Sequence, residues 1–182
     1  MYRASIGAMR PVAVVTARLG STRLPRKSLL DVGGRSALEV LADRIRTARR
    51  PEAIVLATTA EPEDDALVAE AERLGLAVHR GPTEDVLARW LETAEAFDAD
   101  LLVCCDGDDL FCDAVHVDRI VECHERTGAG YVTCTGLPFG TAPTGVSREA
   151  LRRVCALKSE TNTEGQGRFF ACLLYTSPSP RD

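Results

Sequence analysis

Apolar and polar positions along the chain alternate between two kinds of segment. Short unbroken apolar runs rich in β-branched residues, "PVAVVTA" (11–17), "AIVLATT" (53–59) and "DLLVCC" (100–105), predict buried strands. "LAVH" (76–79) and "GYVTCT" (130–135) predict two shorter ones. Between them, apolar residues recur at spacings of three and four, the period of an amphipathic helix. One helix starts at "SALE" (Ser36–Glu39), which has capping-box spacing, and continues through Leu41 and Ile45. A second covers Glu63 to Leu74 and stops at Gly75, as helices ending on a glycine do. A third covers Asp85 to Phe97, with Val86, Leu87, Trp90, Leu91, Ala94 and Phe97 inward. Ala114–Thr127 and Ser147–Leu157 predict two more.

Strands that are apolar on both faces and alternate with helices imply an α/β fold with a mainly parallel, doubly wound sheet. Ligands of such sheets bind beyond the carboxyl ends of the strands, where the strand order switches. Two segments leave strand ends with unusual charge: the basic loop after the first strand and the acidic turn after the fourth.

Composition narrows the class. The 182 residues suit one domain, and 45% apolar with 27% charged residues is ordinary for a globular chain. No run approaches the length of a membrane span, and the first ten residues have no apolar signal core. The expectation is a cytoplasmic protein with no membrane partner and a disordered extension over 1–10. A formal charge of −5 argues against a general nucleic-acid binder. Seven cysteines without a C-x-x-C pair fit free thiols in a reducing compartment. The domain is expected to run from 11 to 171. The final "CLLYTSPSPRD" (172–182) matches the translation of a sequencing adapter and is expected to be a non-native tail.

The basic loop is "ARLGSTRLPRK", Ala17–Lys27, with four cations and no acid. Gly20 lets the backbone approach a ligand, Ser21 and Thr22 offer hydroxyls and N–H groups, and Arg18, Arg23 and Lys27 offer charge. It fits a polyphosphate cradle, or equally a solvated basic loop paired with the acidic surface. It is neither a P-loop nor a G-x-G-x-x-G turn. The acidic turn "CDGDDLFCD" carries Asp106, Asp108, Asp109 and Asp113. Carboxylates at a strand end are hard ligands suited to Mg²⁺; the alternative is a turn that caps the next helix, which is the reading for Asp113. Together the two loops point to a metal–nucleotide site.

"ARLGSTRLPRK" resembles the opening motif of the sugar cytidylyltransferases, particularly the spore coat polysaccharide biosynthesis protein F group. CMP-KDO and CMP-sialic acid synthetases are more distant relatives. "LATTAEPEDDAL", "HRGPTEDVLARW" and "DGDDLFCD" are similar to further family blocks in the same order. The resemblance implies a single-domain, Rossmann-like nucleotidyltransferase fold. It also implies transfer of CMP from CTP to a sugar or sugar-acid acceptor with release of pyrophosphate, with Mg²⁺ as cofactor. Arg23 and Lys27 would be catalytic. Ala17, Arg18, Gly20, Ser21, Arg23, Lys27, Thr58, Arg80 and Gly81 would bind nucleotide. Asp108, with Asp106, would bind metal. The family's dimerisation implies a homodimer. Three departures stand out. The family has glycine where this chain has Arg26, its G-D-x-P-L turn reads "GDDLF" here, and its second acidic metal-binding motif has no match. A catalytically inactive nucleotide-binding relative, or a transferase using UTP or GTP, are the alternatives.

Other residues take plainer expectations. Trp90 is core, His79 is a partly exposed structural histidine, Arg89 is a helix-flank residue in an ion pair, and Glu164 is a candidate sugar contact.

Overall fold

The computed structural model describes residues 9–20, 24–138 and 140–174. Six strands form one sheet. They are β1 (Pro11–Thr16), β2 (Ala53–Thr59), β3 (Ala77–Gly81), β4 (Leu101–Asp106), β5 (Tyr131–Thr133) and β6 (Thr144–Ser147). Six helices accompany them: α1 (Ala37–Ile45), α2 (Asp65–Arg73), α3 (Val86–Ala96), α4 (Ala114–Thr127), α5 (Arg148–Leu157) and α6 (Gly167–Leu174).

The strand order is β3-β2-β1-β4-β6-β5. Strands β1 to β4 pair in parallel, while β6 is antiparallel to both β4 and β5. The sheet is thus parallel apart from β6. The chain winds outward from β1 to β3, then returns to place β4 on the other side of β1. The switch in strand order therefore lies between β1 and β4, the two strands whose ends carry the basic loop and the acidic turn.

Alternation along each strand builds two cores. Ala13, Val15, Leu56, Leu101 and Val103 face one side and meet Leu38, Leu41, Leu67, Val117 and Ile120. Val12, Val14, Val55, Ala57 and Leu102 face the other and meet Leu87, Trp90, Leu151, Val154 and Phe170. This is the doubly wound arrangement expected of apolar-on-both-faces strands. Trp90 is core, as expected, and its indole N–H donates to Thr16 Oγ1 at 2.7 Å, fixing the end of β1.

Local signals set most boundaries. Ser36 caps α1 by accepting from the Glu39 N–H, and Asp85 caps α3 through the Ala88 N–H. Asp113 caps α4 through the Val115 N–H, and Ser147 caps α5 through the Ala150 N–H. Two elements escape the pattern. Strand β6 is "TGVS", too short and too polar to read as a strand. Its Gly145 is required because a Cβ there would lie 2.3 Å from Ile120 Cγ2. Helix α6 forms where no helix is expected, and it crosses from Ala171 into Cys172. Tyr131 and Phe170 stack with ring centroids 4.5 Å apart, which docks α6 on the sheet edge. Most of the expected N-terminal extension and of the expected tail lies outside the described residues.

Candidate nucleotide and metal site

Ala17 follows β1 directly and is buried, with Gly107 of the acidic turn packed against it. A Cβ on Gly107 would stand 2.6 Å from Ala17 Cβ and 3.2 Å from Thr16 O, so glycine is needed for close approach of the two loops. The Gly107 N–H donates to Thr16 O at 2.8 Å. Lys27 closes the basic loop, and its Nζ lies 2.6 Å from Asp108 Oδ2. The two charged loops therefore meet across the β1–β4 switch, where the Lys27–Asp108 ion pair joins them.

The carboxylates of the turn are crowded. Asp106 ends β4 as an exposed residue; the protein around its carboxyl, then the Asp108 charge, push that carboxyl above the usual range. Burial, followed by the Asp106 and Asp108 charges, pushes Asp109 up to about 6. Lys27 opposes both shifts without cancelling them. A hard cation would relieve that repulsion, so the donor set fits Mg²⁺. Among the described residues no group of three or more His, Cys, Asp or Glu side chains is placed to hold a metal ion.

The basic loop rests on an acidic seat. Asp64 is fully buried and accepts from the Leu19 N–H at 2.7 Å, from Thr58 Oγ1 at 3.0 Å, from the Thr59 N–H at 3.2 Å and from Thr59 Oγ1. Gly20 sits against the Glu63 carboxylate, which occupies the space of a Cβ. Thr58 is thus committed to Asp64, which in turn holds the Leu19 N–H of the basic loop. Arg80 has a similar job. Its Nε donates to Thr59 O at 2.9 Å, its Nη2 to Glu61 O at 2.8 Å, and its Nη1 pairs with Asp65 at 2.6 Å. Gly81 ends β3 beneath the Arg89 stem. Arg18 remains at the site, paired with Glu84 at 3.0 Å and with Glu164 at 2.5 Å. Ser21 and Arg23 lie outside the described residues.

Arg26 has φ 56° and ψ 26°, in the left-handed region, and its N–H donates to Leu19 O at 3.2 Å to close the loop. The departure from the family's glycine therefore falls where the backbone favours glycine. Asp64 and Glu84 received no role from the sequence. The "EDD" run was visible, but only the fold shows which of its acids turns inward.

Residues 12–162 match a protein-family model described as Cytidylyltransferase. The chain belongs to the cytidylyltransferase family. Among curated relatives, it is 32% identical over 131 residues to the spore coat polysaccharide biosynthesis protein SpsF of Bacillus subtilis, covering 70% of this chain and 55% of that protein. It is 29% identical over 167 residues to a 3-deoxy-manno-octulosonate cytidylyltransferase of Anaeromyxobacter, covering 90% and 63%. A solved cytidylyltransferase from Leptospira borgpetersenii superposes with a TM-score of 0.78 at 26% identity, over 85% of this chain and 67% of that one. The chain thus spans less than two thirds of the length of each of these two curated relatives. The family expected from the basic loop is the family found, and the Rossmann-like nucleotidyltransferase fold agrees with it. Among the described residues no helix is long and apolar enough to cross a membrane.

Proposed function

We propose that this cytidylyltransferase binds CTP with Mg²⁺ at the β1–β4 switch. It transfers the CMP group to a hydroxyl of a sugar or sugar acid and releases pyrophosphate. The observation that carries the reading is the Lys27–Asp108 contact, which brings a cation and a metal-type carboxylate to one point.

The acceptor oxygen forms a bond to the α-phosphorus while the bond from that phosphorus to the bridging oxygen breaks. Negative charge grows on the departing pyrophosphate. Lys27, Arg18 and Arg23, all cations of the basic loop, would stabilise that charge. On binding, Lys27 exchanges the Asp108 carboxylate for phosphate oxygens. Asp108, with Asp106, would hold Mg²⁺, which supplies charge neutralisation and orientation of the phosphates. The relatives support the acceptor class, one being a spore coat polysaccharide biosynthesis protein and one a 3-deoxy-manno-octulosonate cytidylyltransferase.

The test is a panel of CTP, UTP and GTP with sugar and sugar-acid acceptors, read by pyrophosphate release. Release with CTP alone supports the reading. Release with UTP or GTP instead moves the base preference. CTP binding with no release under any acceptor supports the inactive relative, which the altered "GDDLF" turn favours.

A further inference from the structure

Arg89 departs from its sequence expectation more than any other residue of the site region. It is 2% exposed, not a surface flank residue. Its described partners are not carboxylates: Nη1 donates to Pro82 O at 2.5 Å and to Thr83 O at 3.2 Å. Its Nε is buried with no partner among the described residues. Burial lowers the guanidinium's affinity for its proton, and the neighbouring Arg18 charge pushes the same way. The Asp64, Asp85 and Glu84 charges oppose this without cancelling it.

A buried charge without a close counter-ion costs stability. What it grips explains its presence. Pro82 and Thr83 lead directly into Glu84, and Glu84 joins three loops. Its carboxylate holds Arg18 Nη1 at 3.0 Å and accepts from Asn162 Nδ2 at 3.3 Å, while its carbonyl accepts from the Thr163 N–H at 3.1 Å. Thr163 Oγ1 in turn accepts from the Leu87 N–H at 3.0 Å, at the start of α3.

We propose that Arg89 is a positioning residue for the nucleotide site: its guanidinium grips the Pro82 and Thr83 carbonyls and so sets Glu84 against Arg18. This rests on reading that site as nucleotide-binding. Arg89 touches no substrate and acts through the 82–84 loop. A residue that only fills the core would lower stability when removed and leave the loop alone. Arg89 predicts the opposite division: the core tolerates an apolar replacement of similar size, and the loop loosens.

The experiment compares Arg89→Met and Arg89→Lys with the unmodified chain by thermal unfolding, hydrogen exchange over residues 81–88, and CTP titration in Mg²⁺. For Arg89→Met we expect an unchanged or raised Tm, faster exchange over 81–88, and CTP affinity weaker by about tenfold, which is about 1.4 kcal/mol of binding free energy. Arg89→Lys, which keeps one carbonyl bond, falls between. A lowered Tm with unchanged exchange over 81–88 overturns the proposal, and so does failure of both variants to fold. If the unmodified chain does not bind CTP, the nucleotide reading falls, and the Tm and exchange data still decide the role of Arg89 in the loop.

Discussion

Lys27 Nζ lies 2.6 Å from Asp108 Oδ2, an ion pair that links the charged loops leaving β1 and β4. Asp108 is about half exposed and Lys27 about a quarter. A pair this open adds only about 0–1 kcal/mol to stability. Its importance lies in function. Lys27→Met and Asp108→Asn should each change unfolding free energy by less than about 1 kcal/mol, while pyrophosphate release falls by about 10²–10³-fold. Parallel denaturant melts and turnover assays check both halves. A large stability loss with normal turnover would mean the pair is structural.

Arg26 strains the basic loop. A non-glycine residue in the left-handed region costs roughly 1–2 kcal/mol, and glycine gives back part of that gain through a freer unfolded chain. Arg26→Gly should therefore raise stability by about 0.5–1 kcal/mol, read from the urea midpoint at unchanged slope.

Asp64 anchors the same loop from below. Asp64→Ala leaves the Leu19 and Thr59 N–H groups buried without acceptors, at about 1–3 kcal/mol for each group left unmet. The expected result is a loss of at least ~2 kcal/mol with faster exchange at Leu19. Asp64→Asn, which keeps one acceptor oxygen, should lose less.

Gly107 sets the distance between the loops. Gly107→Ala places a methyl 2.6 Å from Ala17 Cβ and 3.1 Å from Ser28 Oγ. The turn must move away from β1, at a cost of about 1–3 kcal/mol, and the Lys27–Asp108 pair should open with it. Turnover should fall together with stability, unlike the Asp108→Asn case.

Asp113 gives a pH signature. Its carboxyl lies below the usual range, first because it accepts the Val115 N–H at the start of α4 and then because His116 Nδ1 lies 2.7 Å away. A folded-state pKa below the unfolded one adds stability above the ordinary aspartate pKa, and this is lost as pH falls through the folded value. Asp113→Asn should flatten that part of the acid limb of a Tm-against-pH curve.

Much of the scaffold was legible because its signals are local. Strand β2 and helix α4 begin and end where the apolar runs and caps place them, and the charged loops sit at the expected sheet edge. What was hidden depends on contacts between distant segments. Strand β6 exists because Gly145 fits beneath Ile120, and no pattern within "TGVS" says so. Arg89 reads as a surface arginine from its helical position, and only the path of the 82–84 loop brings two carbonyls to it. Family likeness assigns Thr58 and Arg80 to the nucleotide. Their hydrogen bonds show that they hold Asp64 and the 59–65 segment, and so support the basic loop.

The most direct test of the site is CTP titration of the unmodified chain and of Asp108→Asn, each with Mg²⁺ and with the metal chelated. The account predicts that the unmodified chain binds CTP more tightly with Mg²⁺ than without, and that Asp108→Asn loses most of this difference. Equal CTP affinity with and without Mg²⁺ in the unmodified chain, or an undiminished Mg²⁺ effect in Asp108→Asn, would contradict it.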